Sequence, residues 1–330
     1  MEEWIIMRVS TGNEARAVSQ KALRSKAMRS LQHRVKINWE LYVILAIPLI
    51  WLLIFHYYPM YGVQIAFRRF SPLKGITGSP WVGLTNFIKF FKSYNFERVL
   101  RNTLSISLYD LVVGFPFPVI LAILLNNCLK PRFKKFVQII TYMPYFISTV
   151  VMVGIIIQFL SPKVGVINYL ITALGGTEID FMGRPEYFRN IYVWTNIWQG
   201  TGWTAIIYLS ALSSVDPGLH EAALVDGANR FQRMWYIDLP SILPTIAIML
   251  TLRMGNIMNV GFEKVLLMQN DLNTGASEII STYVYKAGPA AAAPDFSYAA
   301  AIGLFNSIIN LVLIMIVNKI NAKINETSLW

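Results

Sequence analysis

One cysteine and three histidines are all that this chain of 330 residues offers for thiol or soft-metal chemistry. Cys128 has no partner for an internal disulfide, and no paired Cys/His spacing marks a metal site. Charge is equally scarce. Charged residues are 14% of the chain, where a soluble globular domain carries about a quarter. Acids are the rarer sign, 18 against 29 Lys and Arg, for a formal charge of +11. Also missing are a G-x-x-x-x-G-K-[ST] phosphate loop, an H-E-x-x-H zinc motif and a dinucleotide glycine fingerprint. These absences argue against a self-contained ATPase, a zinc hydrolase or a nucleotide-dependent oxidoreductase, so the chain reads as non-catalytic.

What is present is apolar. Hydrophobic residues are 55% of the chain and the mean hydropathy is +0.47, which places it among all-α membrane proteins. In that class an excess of basic residues reports topology before nucleic acid, and no nucleic-acid partner is expected. Residues 1–40 read as a basic cytoplasmic segment, with Arg8, Arg16, Lys21, Arg24, Lys26, Arg29, Arg34 and Lys36 and no signal-peptide pattern. Residues 41–320 are expected to hold six transmembrane helices, at 41–58, within 99–125, and at 137–160, 190–212, 241–268 and 298–317. About 20 residues cross a hydrocarbon core of roughly 30 Å. The basic loop at 130–135, and Arg230 and Arg233, mark the inside; residues 321–330 form a second cytoplasmic tail. Arg68, Arg69, Lys74, Lys89 and Lys92 argue against an outside location for 62–97, but the N-terminal segment carries more basic residues and sets the orientation.

The longest polar interruption in the second half, the loop 214–240, reads as two short helices. Asp216 can cap the first and Pro217 fits its first position. Gly227 supplies the turn, and Asn229 can cap a second helix ending before Pro240. Asp216 and Glu221 serve either local capping or a partner contact, and His220 is expected to be solvated. Within the spans, Arg253, Asn256, Asn259 and Glu263 fall on an arc of roughly 120° if their segment is one helix. They line either a substrate path or a structural polar seam. Asn196, Gln199 and Trp203 share an arc of about 60°. An indole beside amides suits a sugar, although tryptophans near span ends also serve as interface anchors.

The loop carries Glu221-Ala222-Ala223, then Gly227 after three residues, then Ile237-Asp238-Leu239-Pro240 after nine more. In this it resembles the integral-membrane subunits of ABC importers. Residues 81–87 (WVGLTNF), 102–104 (NTL), and Trp198 leading through Ala211-Leu212 to Glu221 are similar to the carbohydrate branch, of the maltose-permease type. Residues 261–264 (GFEK) and 298–304 (YAAAIGL) look closer to permeases for oligosaccharides or polysaccharide fragments. The likeness spans roughly residues 40 to 320 and implies a type I importer permease fold with both termini cytoplasmic, in the cell membrane. It implies that Glu221, Ala222, Ala223, Asp226, Gly227, Leu239 and Pro240 form a coupling segment seated on an ATPase subunit. It further implies a second permease, two ATPases that bind ATP and Mg, an extracellular or periplasmic solute-binding protein, and no cofactor in this chain. The large inserted external domain of the maltose permease is lacking, so that relative's substrate contacts do not carry over. Two other readings stand beside it: an importer for a non-carbohydrate solute, and a membrane-embedded enzyme acting on lipid-linked sugars. The enzyme would need paired acids at one membrane face, which the sequence does not provide.

Overall fold

The computed structural model describes residues 36–324, so Arg8 to Arg34 of the basic segment and the end of the C-terminal tail lie outside the described residues. Two units divide the chain, Met1–Val63 and Gln64–Trp330. In the first, α1 (Trp39–Leu52) is apolar all round and none of its residues is buried. It widens into a π turn, Leu53–Tyr57, just before Pro59. A proline removes one helical hydrogen bond and clashes with the carbonyl four residues earlier, and a wider turn relieves both problems.

The second unit repeats this device twice. There α2 (Asn95–Tyr109) passes through the π turn Asp110–Gly114 into α3 (Pro116–Asn126). Next come α4 (Pro131–Tyr142), α5 (Thr149–Leu160) and α6 (Pro185–Ser213). The polar loop supplies α7 (Pro217–Val225) and α8 (Arg230–Arg233), and α8 runs through the π turn Met234–Asp238 before Pro240. Last are α9 (Leu243–Met254), α10 (Phe262–Met268) and α11 (Phe296–Ile324).

Among the described residues, three helices are long and apolar enough to cross a membrane: Trp39–Phe67, Asn95–Asn126 and Phe296–Lys323. The count rises to five if each of two bent pairs is one span. Three expectations change accordingly. The third span is not one rod: Pro131–Phe146 and Thr149–Leu160 meet at 103°, because Pro144 has no amide to continue the ladder, and the basic residues 131–135 belong to α4 rather than to a loop. The fourth, α6, has 29 residues, but its Asn, Gln, Thr, Gly and Trp keep it out of the apolar set. The fifth is interrupted, since residues 255–261 between α9 and α10 are not helical. In the polar loop the second helix does not stop before Pro240; it continues through Leu239–Ser241 and then bends by 58° into α9.

The core is built around α6. Phe188, Tyr192, Val193 and Ile197 are buried with Met152, Val153 and Ile156 of α5 and Val265 and Met268 of α10. Further along, Ala205, Tyr208 and Leu212 are buried with Val119 and Ala122 of α3. Between these clusters α6 meets α4 at backbone distance. A Cβ added at Gly202 would lie 2.0 Å from the Thr141 carbonyl oxygen and 2.4 Å from its carbon. No rotamer change relieves a backbone clash, so the two helices would have to separate. We expect Gly202→Ala to lower stability by about 3 kcal/mol, the upper end for overpacking. Gly200→Ala, where nothing lies within 4 Å, should be neutral or stabilising by up to about 1 kcal/mol. Unfolding of the detergent-solubilised variants measures both, and equal stabilities would refute the close contact.

Candidate functional site

Asp110 is the first residue of the π turn between α2 and α3, inside a segment otherwise apolar enough to span a membrane. A carboxylate at that depth needs a partner. Arg253, in the last turn of α9, pairs with its Oδ2 through Nη2. On the other side Asn196 of α6 donates from Nδ2 to Oδ1 at 3.0 Å. The Asp110 side chain is 14% exposed and that of Arg253 47%. The carboxylate is thus sheltered, while part of the guanidinium faces open space.

That space is a pair of adjoining cavities, about 200 and 240 Å³, which share Asp110, Asn196 and Arg253 in their walls. Asn256, Asn259, Tyr192 and Gly261 line the first, and Tyr145, Thr204 and Tyr208 the second. The break at 255–261 opens this room, and most of its backbone N–H groups have partners. Asn256, Ile257 and Asn259 donate within short turns, and Met258 N–H reaches Asn310 Oδ1 at 3.0 Å. Gly261 N–H reaches the Tyr192 hydroxyl at 3.0 Å. Asn306 Nδ2 donates to Asn259 Oδ1 at 2.9 Å, and Asn321 of α11 holds α9 through Ala247 O and Thr251 Oγ1 at 3.0 and 2.6 Å. Irregular backbone at membrane depth is tolerated only where protein or a wet cavity satisfies it, and here protein groups take up most of the freed donors.

The fold therefore brings together Asn196, Arg253, Asn256 and Asn259, but not as one helical face. They converge because the helix ends, a geometry the spacing arithmetic did not contain. Glu263 is separate, exposed in the first turn of α10. Gln199 and Trp203 face the bent segment instead. Gln199 Nε2 donates to Ile147 O at 3.1 Å, and the Trp203 indole stacks on Tyr145 at 4.6 Å with Phe146 against its edge. One face of that indole is already covered. The sequence reading missed Asp110, although a lone acid inside an apolar span was a signal in plain view. It also missed Asn306 and Asn310, which sit one turn apart on an apolar helix. Lys264 is buried against the Tyr192 ring, its Nζ 5.1 Å from the centroid.

The polar loop forms a second feature. Asp216 accepts from Gly218 N–H at 2.8 Å, and Asn229 and Gln232 close a reciprocal capping box at 2.9 and 2.7 Å. Gly227, at φ +80°, ends α7. Its N–H bonds Leu224 O and that of Ala228 bonds Ala223 O, the paired closure of a Schellman turn. Glu221, Ala222, Asp226 and Pro240 are exposed, and Ala223 and Leu239 half-buried. Leu219, Leu224, Val225, Phe231, Trp235 and Tyr236 are all at least half exposed, so the helix pair presents an apolar surface. His220 is not solvated as expected: only 23% of its side chain is exposed, and it faces Asp238.

Residues 114–326 match the family described as "Binding-protein-dependent transport system inner membrane component". Protein LplB of Bacillus subtilis (strain 168) is 44% identical over 290 residues, covering 88% of this chain and 91% of that protein. The polygalacturonan/rhamnogalacturonan transport system permease protein YteP of the same organism is 40% identical over 319 residues, covering 96% and 99%. A chain in the crystal structure of a bacterial ABC transporter involved in the import of the acidic polysaccharide alginate superposes with a TM-score of 0.82 at 39% identity, over 89% of this chain and 99% of that one.

The ion pair has a direct test. Asp110→Ala leaves Arg253 without its carboxylate and should cost about 2 kcal/mol, the scale of a hydrogen bond to a charged group. Exchanging both charges, Asp110→Arg with Arg253→Asp, should recover part of that loss. Thermal unfolding of Asp110→Ala, Asp110→Arg, Arg253→Asp and the double swap measures it, and an additive double variant would show that the two side chains do not interact.

Proposed function

The chain belongs to the family of inner-membrane components of binding-protein-dependent transport systems, and on that premise we propose that it is the permease subunit of an ATP-driven importer for oligosaccharides or polysaccharide fragments. The observation that carries this reading is the ion-paired polar cavity at an interrupted helix. Discontinuous helices whose freed groups line a cavity are how membrane transporters hold a polar solute within the bilayer. Asn196, Asn256 and Asn259 offer amide donors and acceptors to sugar hydroxyls, and Tyr145, whose other face is stacked on Trp203, offers one ring face. Arg253 on the cavity wall and Lys264, buried behind the Tyr192 ring, set two cations against the single carboxylate of Asp110, which favours an acidic oligosaccharide. The names of YteP and of the alginate transporter point to the same substrate class.

In this reading the chain is a multi-pass protein of the inner membrane, with six spans and both termini in the cytoplasm. It pairs with a second permease and two ATPase subunits and receives substrate from an extracellular or periplasmic binding protein. ATP and Mg are bound by the ATPases. The capped pair α7 and α8 is the ATPase contact: it is polar at its ends, apolar on its exposed surface, and bears the Glu221-Ala222-Ala223 and Gly227 signature. Alternating access then follows from ATP and loaded binding protein favouring different states of the permease pair.

Two experiments test this. The assembled complex in proteoliposomes, supplied with its binding protein, should take up oligogalacturonates in an ATP-dependent manner and exclude malto-oligosaccharides. Arg253→Met should lower that uptake about tenfold without loss of assembly, the scale of one net hydrogen bond. Uptake restricted to neutral sugars would overturn the acidic class, and uptake of a non-carbohydrate solute alone would overturn the reading. For the ATPase contact, a Cβ at Gly227 meets nothing within 4 Å, so only its left-handed backbone is at stake. Gly227→Asn should retain ATPase co-purification and Gly227→Val should lose most of it, because asparagine tolerates that conformation and a β-branched residue does not. Equal co-purification would remove the turn from the docking account.

A further inference from the structure

Asp238 is completely buried, at 0% exposure, where the π turn Met234–Asp238 meets Leu239. Its carboxylate joins three parts of the chain. Asn127, just past the end of α3, donates from Nδ2 to Oδ2 at 2.6 Å, and the same amide group donates to Ile123 O at 3.1 Å. Asn126 Nδ2 lies 3.5 Å from Oδ1. From α7, His220 Nε2 lies 3.4 Å from the same Oδ1.

The setting gives this cluster its meaning. No residue of α7 is buried, and both of its ends are closed by bonds local to the loop. A helix so placed has little apolar packing to make it move with the rest of the protein. Among the described residues, His220 is the one position of α7 whose side chain makes a hydrogen-bond or ion-pair contact with another element. That contact leads through Asp238 to Asn127, and so to the end of the span that carries Asp110. Apolar surfaces can slide past one another; donors converging on one buried carboxylate fix a single geometry.

We propose that Asp238 is a positioning residue for energy coupling, a strut that transmits displacement of α7 to α3 through His220 and Asn127. The inference rests on the reading of α7 as the ATPase contact and adds the path by which its motion reaches the cavity. A coupling path needs an element that two sites both bias, and the span from Asp110 to Asn127 is that element here.

The test uses the complete complex in proteoliposomes with its binding protein and an oligogalacturonate substrate. Uptake per ATP hydrolysed is measured for the wild type, Asp238→Asn, His220→Leu and His220→Gln. We expect His220→Leu and Asp238→Asn to keep ATPase co-purification and basal hydrolysis while uptake per ATP falls about tenfold, within the span of about 5- to 150-fold seen for coupling between sites. His220→Gln, which keeps a neutral N–H donor, should recover most of the loss. If Asp238→Asn fails to assemble, the two His220 variants decide the matter alone. Wild-type uptake per ATP in His220→Leu would overturn the strut and leave the permease reading intact. Loss of ATPase co-purification in that variant would overturn it too, because the residue would then serve docking. Absence of ATP-driven uptake of both oligogalacturonates and neutral oligosaccharides in the wild type would overturn the permease reading and the strut together.

Discussion

A carboxylate placed in an apolar helix has to be answered by the rest of the fold, and Asp110 is that carboxylate. Its desolvation is tolerable only because Arg253 and Asn196 both reach it. Three helices are thereby committed to meet at one point. The π turn before Pro116 presents the acid, α6 contributes the amide, and α9 ends within reach so that its last turn supplies the cation. The cavities are the space left where these elements converge on charge instead of closing on apolar side chains.

The interruption at residues 255–261 raises a second demand, since backbone groups freed from a helix cannot be left bare in hydrocarbon. The protein meets it with neutral amides. Asn306, Asn310 and Asn321 lie along α11 and bond Asn259, the Met258 amide and α9 in turn. Amides can donate and accept without bringing further charge into the membrane, which leaves the local field to Asp110, Arg253 and Lys264. The same economy appears at Asp238, where Asn126 and Asn127 surround an acid with neutral donors.

Much of this was legible in the sequence, and the misses have specific causes. The caps at Asp216 and Asn229 and the turn at Gly227 could be read because each depends on residues within a few positions of one another. Membrane class and most helix positions followed from composition and apolar runs. The broken third and fifth segments did not, because hydropathy averages over a window and is blind to where a helix stops. Arg253, Asn256 and Asn259 were singled out for sharing a helical face, yet they meet at a cavity because that helix ends at Met254. His220 looked solvated since its partner, Asp238, lies in a different helical piece. Trp203 looked free to stack on a sugar, and only tertiary structure could place Tyr145 over it.

The three π turns among the described residues carry a consequence for how this chain tolerates change in its length. Each holds one residue more than α-helical winding would use, so the two flanking helices are out of phase by about 100°, the rotation of a single residue. Elsewhere in a membrane helix, removing one residue scrambles the register of everything beyond it. Within Asp110–Gly114 the same deletion would restore α-helical winding and keep the run apolar, while bringing back the clash of Pro116 that the wider turn relieves. It would nonetheless swing the segment before the turn away from Arg253 and Asn196. A gap of one residue, harmless by hydropathy, would there separate a span that crosses the membrane from one that also holds the site.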